Sequence, residues 1–163
     1  MARAVPDCGG VVFVPAFTGL GAPHWDSEAR GALFGLTRAT RPEHIVRAGL
    51  DALCFQTDEL LVAARADGAR VDELRVDGGM ARNDWLMQRL ADLTGVRVVR
   101  PHFTECTALG AAVLAAIELD WISAEEWEST TPKADSFEPS LPAKEREIEL
   151  QRWSWAVQRV KSQ

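Results

Sequence analysis

The chain has 163 residues, 47% of them hydrophobic and 26% charged, with 18 Lys and Arg against 24 Asp and Glu for a net charge of −6. This is one domain's worth of sequence with enough apolar material for a packed core; global disorder is excluded, and the acidic balance argues against nucleic acid as the main partner. No apolar run approaches the roughly 18 residues of a membrane-spanning helix, and Cys8, Cys54 and Cys106 are too widely spaced for a zinc knuckle and odd in number, which argues against a disulfide framework and favours a reducing cytoplasm.

In chain order, Val11-Val12-Phe13-Val14-Pro15-Ala16-Phe17 predicts a short strand. It does not read as the core of a signal peptide: Pro15 interrupts it, only Arg3 supplies positive side-chain charge before it, and no A-x-A-like site follows. Thr18–Asp26 is rich in Gly and Pro and has no helical or strand period, so it is a loop, either shaped for a purpose or a plain turn. After the short apolar run Gly31–Leu36, Thr40-Arg41-Pro42-Glu43 predicts a capping box with Pro in the first turn. The helix it opens runs to about Ala66, with Val46, Leu50, Leu53, Thr57, Leu60, Leu61 and Ala64 on its inward face and Cys54 a small core residue.

Leu74–Val76 predicts a strand ending in Asp77-Gly78-Gly79. A helix follows from near Asn83-Asp84 to Gly95, burying Leu86, Met87, Leu90, Ala91 and Leu93. Val96–Val99 is a second strand, closed by Pro101. Strand, helix and strand in so short a span imply a right-handed crossover with parallel strands. Thr104 or Glu105 opens a helix of mostly small residues, Ala108–Ala116, expected to lie buried against a sheet or a second helix. Residues 129–142, with Pro132, Pro139 and Pro142, predict a surface connection, and Ala143 to Lys161 a last helix with Leu150, Trp153, Val157 and Val160 inward. Glu125-Glu126 and Glu145–Glu149 are expected to face solvent.

The sharpest local signal for chemistry is Val76-Asp77-Gly78-Gly79-Met80-Ala81-Arg82-Asn83. A strand runs through two glycines into a helix N-terminus, where free N–H groups and a partial positive charge favour phosphate-bearing ligands, and missing Cβ atoms let a ligand approach the backbone. On the residues alone, a tight turn with Asn83 as N-cap explains the pattern more simply, and both readings stand. No G-x-G-x-x-G or Walker A sequence occurs. His24, His44 and His102 are dispersed without metal-ligand spacing, and no Ser or Cys sits in a nucleophile elbow.

Several segments together resemble the FGGY carbohydrate kinases. Phe17-Thr18-Gly19-Leu20-Gly21-Ala22-Pro23-His24-Trp25 is similar to the loop of the family's glycerol-phosphorylating branch. Gly31-Ala32-Leu33-Phe34-Gly35-Leu36 with His44-Ile45 and Arg47-Ala48-Gly49-Leu50-Asp51 resembles a second family signature, from which Gly49 departs. Leu74–Gly79 with Asn83 resembles the adenosine-binding turn, and Glu105–Ala112 the last core helix. The likeness covers about residues 10–160 in unbroken order.

The resemblance implies an α/β fold, part of a ribonuclease H-like domain of the actin-like ATPase kind, with helices on a small sheet containing a parallel strand pair. It implies transfer of the γ-phosphoryl of MgATP to a terminal hydroxyl of glycerol, an Asp accepting the hydroxyl proton. It carries nucleotide contacts onto Gly79 and Asn83, with Gly78 and Asp77 shaping their turn; Asp77 matches the turn aspartate, not the catalytic base. Catalytic, magnesium and polyol-binding residues would all lie upstream of Met1, so this chain is expected to be the C-terminal part of the second domain, inactive alone and prone to self-association. A non-catalytic module that binds adenine nucleotide or pairs with a partner chain, or a piece of another FGGY sugar kinase, is the alternative.

Overall fold

The computed structural model describes residues 1–103, 105–130 and 133–162; the sequence readings at Thr104 and Pro132 lie outside them. Strands β1 (Val12–Val14) and β2 (Ala32–Phe34) form an antiparallel pair, Val12 opposite Phe34. Helix α1 follows over Pro42–Ala66. Its cap falls one residue later than the Thr40–Glu43 pattern predicts. The Thr40 hydroxyl is taken by the Thr37 N–H at 2.8 Å, so Arg41 becomes the N-cap with Pro42 at the first helical position. His44 Nδ1, in place of Glu43, accepts from the Arg41 N–H at 3.0 Å.

The inward face of α1 also differs from the one apolar spacing predicts. Ala48, Asp51, Ala52, Cys54, Phe55, Asp58 and Leu61 are buried, while Val46, Leu53 and Leu60 are exposed. Charge pairing accounts for the rotation. Asp51 accepts from Arg89 Nε at 2.9 Å and Nη2 at 3.3 Å, and Arg89 also pairs with Glu149. Seven residues on, Asp58 accepts from Arg146 Nη2 at 2.8 Å. Burial alone would lower the Arg89 pKa, but its bonds to Asp51 and Glu149 raise it, so it stays cationic. The Glu145–Glu149 stretch is therefore not wholly solvated, because Glu149 is bound into this network.

Strand β3 (Glu73–Arg75), helix α2 (Asp84–Thr94) and strand β4 (Arg97–Pro101) make the expected crossover. The two strands are parallel, with Leu74 opposite Val98. Leu86, Met87, Leu90, Ala91 and Leu93 are all buried, and α2 ends at Gly95 in the left-handed region. Beyond them lie helix α3 (Cys106–Glu118), short helix α4 (Ala124–Glu128), strand β5 (Ala134–Phe137) and helix α5 (Ala143–Val160).

Three of these elements depart from expectation. The connection over 129–142 carries β5, which pairs antiparallel with β4 to give the order β3-β4-β5. Glu126 does more than face solvent: with Ser123 it closes a capping box on α4. And α3, expected to be buried for its small side chains, buries only Val113, with Leu114 exposed and Leu119 and Trp121 exposed just beyond its end. Small residues permit close approach, but burial needs an opposing surface, and the described residues supply little of one.

The core gathers Val14 from β1, Cys54 from α1, Leu93 from α2, Val98 from β4 and Trp153 and Val157 from α5. Trp153 stacks on Phe55 with ring centroids 5.1 Å apart. At the far end of α5, Ser162 donates from its N–H and its hydroxyl to Asp26, both at 2.7 Å.

The buried pairing generates a stability test. Arg89→Leu strands Asp51, 3% exposed, and is expected to lower unfolding free energy by about 3 kcal/mol, as removing one partner of a buried ion pair typically does. Adding Asp51→Leu should restore much of it. Urea unfolding of both variants measures this, and additive losses would deny the coupling.

Candidate functional site

The site is built where β3 and β4 end. Val76 continues the ladder by donating to Val99 O at 3.0 Å, and the backbone then turns. Gly78 takes φ 83°, ψ −179°, a conformation essentially reserved for glycine. A 3-10 turn over Gly79–Arg82 follows, and Asn83 caps α2, its Oδ1 accepting from the Leu86 N–H at 3.3 Å.

The two glycines therefore have different physical reasons. Gly78 is required by its backbone angles. Gly79 is exposed and outside the positive-φ set, and a Cβ built on it meets nothing within 4 Å. The folded chain would accept a side chain there, so the bare backbone of Gly79 is open to a ligand. Beside it stands the N-terminus of α2, whose first-turn N–H groups favour negative charge.

The start of α3 closes on the same turn. Arg82 Nη2 donates to Glu105 Oε1 at 3.2 Å. Burial, then the Asp77 carboxylate and its hydrogen bond, push the Cys106 thiol above its ordinary pKa, so it stays a neutral thiol. Asp77 itself is exposed.

From behind, Arg100 of β4 reaches the turn. Its Nη1 donates to Ala81 O and to Asp84 Oδ1, both at 2.8 Å, and its Nε and Nη2 donate to Asp135 Oδ2 at 3.2 and 2.6 Å. Asp135 lies opposite Arg100 in the β4–β5 register and also contacts His102 Nε2 at 3.1 Å. The hydrogen bonds to Asp135 and then Asp84 raise the Arg100 pKa, and those from Arg100 and then His102 lower that of Asp135.

Gly78, Gly79, Asn83 and Asp77 are thus brought together on one turn. Arg100, Asp135 and Glu105 were not picked out from sequence. The signal in sequence for Arg100 is a second cation on a short strand that already carries Arg97, placed immediately before Pro101. A larger cavity, about 630 Å³, lies elsewhere, between residues 6–13, α1, α2 and α5; its Arg89, Asp51 and Glu149 satisfy one another, and it does not adjoin the turn. Among the described residues no three His, Cys, Asp or Glu side chains are placed to hold a metal ion, and no helix is long and apolar enough to cross a membrane.

Comparison with known proteins identifies the family. Residues 1–119 match the C-terminal domain of the FGGY family of carbohydrate kinases. Glycerol kinase of Aromatoleum aromaticum is 53% identical over 163 residues, 99% of this chain and 33% of that protein. The chain spans about a third of the length of the curated relatives it matches. The crystal structure of Plasmodium falciparum glycerol kinase with ADP superposes with a TM-score of 0.85 at 34% identity, covering 99% of this chain and 33% of that one. Xylulose kinase from Rhodospirillum rubrum, 23% identical with a TM-score of 0.77 over 96% of this chain and 32% of its own, shares the fold. The α/β architecture with its parallel pair is that of actin-like ATPase kinases.

The two glycines can be separated by stability alone. Gly78→Ala is expected to cost about 1–3 kcal/mol through its backbone angles, and Asn83→Ala about 1 kcal/mol through the lost cap. Gly79→Ala should change stability by less than about 0.5 kcal/mol, as an exposed site without contacts does. Chemical denaturation of the three variants checks the order; a Gly79→Ala loss as large as that of Gly78→Ala would make both glycines structural.

Proposed function

The chain belongs to the FGGY family of carbohydrate kinases, and from that premise we propose that it is the C-terminal, nucleotide-binding portion of a glycerol kinase, an enzyme moving the γ-phosphoryl of MgATP to glycerol to give glycerol 3-phosphate. The observation that carries the nucleotide role is Gly79, bare of side chain without a packing reason, beside a helix N-terminus at the carboxyl ends of two parallel strands. Open α/β sheets bind ligands at that edge. The relative solved with ADP supports the choice of ligand, and the 53% identity to a glycerol kinase supports the choice of acceptor.

In this reading Gly79 lets the adenosine of ATP or ADP approach the backbone, and Asn83 offers its amide from the start of α2, with Gly78 and Asp77 holding the turn. Phosphoryl transfer rests on positioning and charge stabilisation, and this chain contributes the positioning of the nucleotide. We assign the general base, the polyol contacts and the carboxylates for Mg²⁺ to the portion that precedes these residues in the relatives; no metal step is assigned to this chain. Neither nucleic acid nor membrane is proposed as a partner, and three free thiols are in keeping with a cytoplasmic protein.

The remainder of the kinase also accounts for the uncovered surfaces. Among the described residues β3 is paired on one side only, α3 leaves Leu114 exposed, and Val46, Leu53 and Leu60 form an exposed stripe on α1. An open strand edge beside apolar surface associates with other chains. The chain alone is therefore expected to self-associate. Light scattering at rising concentration measures this, and a clean monomer at high concentration would count against it.

Catalysis gives the decisive test. In a coupled ADP-release assay with glycerol the chain alone should show no turnover; turnover that scales with protein and disappears in Gly79→Arg would place a complete site here. In the chain joined to the missing portion, Gly79→Val should raise the ATP KM with the glycerol KM little changed. Asn83→Ala should do so more mildly, by roughly fivefold, the worth of about 1 kcal/mol for one hydrogen bond. An unchanged ATP KM in a folded Gly79→Val protein would leave the turn purely structural.

A further inference from the structure

We propose that Arg100 is the positioning residue of the nucleotide turn, an inference that rests on the nucleotide reading of Gly79 and Asn83. The guanidinium joins three elements at once. It is anchored on β5 by two hydrogen bonds to Asp135 Oδ2, lies over the Phe137 ring at 5.2 Å, and with Nη1 grips both the Ala81 carbonyl in the 3-10 turn and the Asp84 carboxylate in the first turn of α2. Its side chain is 14% exposed, although its partners Asp84 and Asp135 are 65% and 44% exposed.

The Ala81 carbonyl and Asp84 bracket Arg82 and Asn83, so the grip spans the junction between the turn and the helix whose N-terminus would meet the ligand. The turn is also seated by Ala81, 2% exposed and part of the core, and Arg82 reaches Glu105 of α3; Arg100 adds the side-chain hydrogen bonds that tie the turn and the start of α2 to strands β4 and β5. A planar fork with fixed N–H directions can hold a carbonyl and two carboxylates simultaneously; an ammonium carries the same charge without that geometry. Arg100 thus acts on nucleotide affinity through the backbone of residues 79–83. The terminal strand β5 enters the site indirectly, since Asp135 fixes the direction in which the fork points.

The test compares Arg100→Lys, Arg100→Gln and Asp135→Asn with the unaltered chain. Affinity is measured with a fluorescent ADP analogue, mant-ADP, and amide hydrogen exchange of residues 78–83 is measured without nucleotide. The expected result is a roughly tenfold weaker affinity in both Arg100 variants, a smaller loss in Asp135→Asn, and faster exchange confined to 78–83 while the amides of α1 stay protected. Failure of lysine to rescue is the distinguishing outcome, because a direct attraction between cation and phosphate would survive in Arg100→Lys. Affinity restored by lysine, or unchanged in all three variants, overturns the inference. If an Arg100 variant does not fold, Asp135→Asn carries the same test. If the unaltered chain binds no mant-ADP, the three variants are compared by ATP KM in the chain joined to the portion that precedes it in the relatives, where an ATP KM unchanged in all three overturns the inference and one unchanged in Gly79→Val overturns the nucleotide reading beneath it.

Discussion

Two carboxylates on one helix organise this molecule. Asp51 and Asp58, two turns apart on α1, are 3% and 5% exposed, and ions in such places are tolerated only with matched partners. The partners come from elsewhere in the chain: Arg89 from α2 and Arg146 from α5, with Glu149 completing the first pair. Meeting these requirements fixes the rotation of α1 about its axis and brings α2 and α5 to the same side. Once α2 is so placed, its N-terminus and the turn before it stand at the carboxyl ends of β3 and β4. The position of the Gly78–Asn83 turn is therefore a downstream consequence of the ion pairs that seat α2 against α1 and α5.

The turn itself divides its labour among residues that look alike in sequence. Gly78 satisfies a backbone demand, Gly79 leaves space, and Asn83 satisfies an orphan N–H of α2 while keeping its amide nitrogen available. Only the middle role lacks a reason among the described residues, and the proposed nucleotide contact rests on that asymmetry.

The parts legible in sequence were those whose reasons are local. Five inward residues of α2, its Asn83 cap and its Gly95 stop follow from spacing and capping alone, and the crossover over 74–99 follows from element order. On α1 the same apolar spacing places Leu50 and Leu61 against the core but also turns the exposed Val46, Leu53 and Leu60 inward, because it treats every carboxylate as solvated and cannot see arginines supplied 38 and 88 residues away. The β5 segment reads as a connection because Pro132, Pro139 and Pro142 punctuate residues 129–142, and its strand character comes from pairing with β4. For α3, composition described a helix suited to burial without showing that the covering surface is absent from these residues. At the site, Gly78, Gly79 and Asn83 were visible as a strand-to-helix turn, whereas Arg100 and Asp135 meet only through the β4–β5 register.

The clasp between Ser162 and Asp26 has a kinetic meaning. It joins groups 136 residues apart through two solvent-exposed hydrogen bonds. Closing so long a loop from an unfolded chain costs conformational entropy that two such bonds cannot offset. They form only after the intervening elements have already brought the ends together. The clasp is thus a late contact in folding and an early one to fray: the end of α5 lets go of Asp26 first, while the Thr18–Asp26 loop stays tied to α1 through His24 and Glu59, 3.0 Å apart.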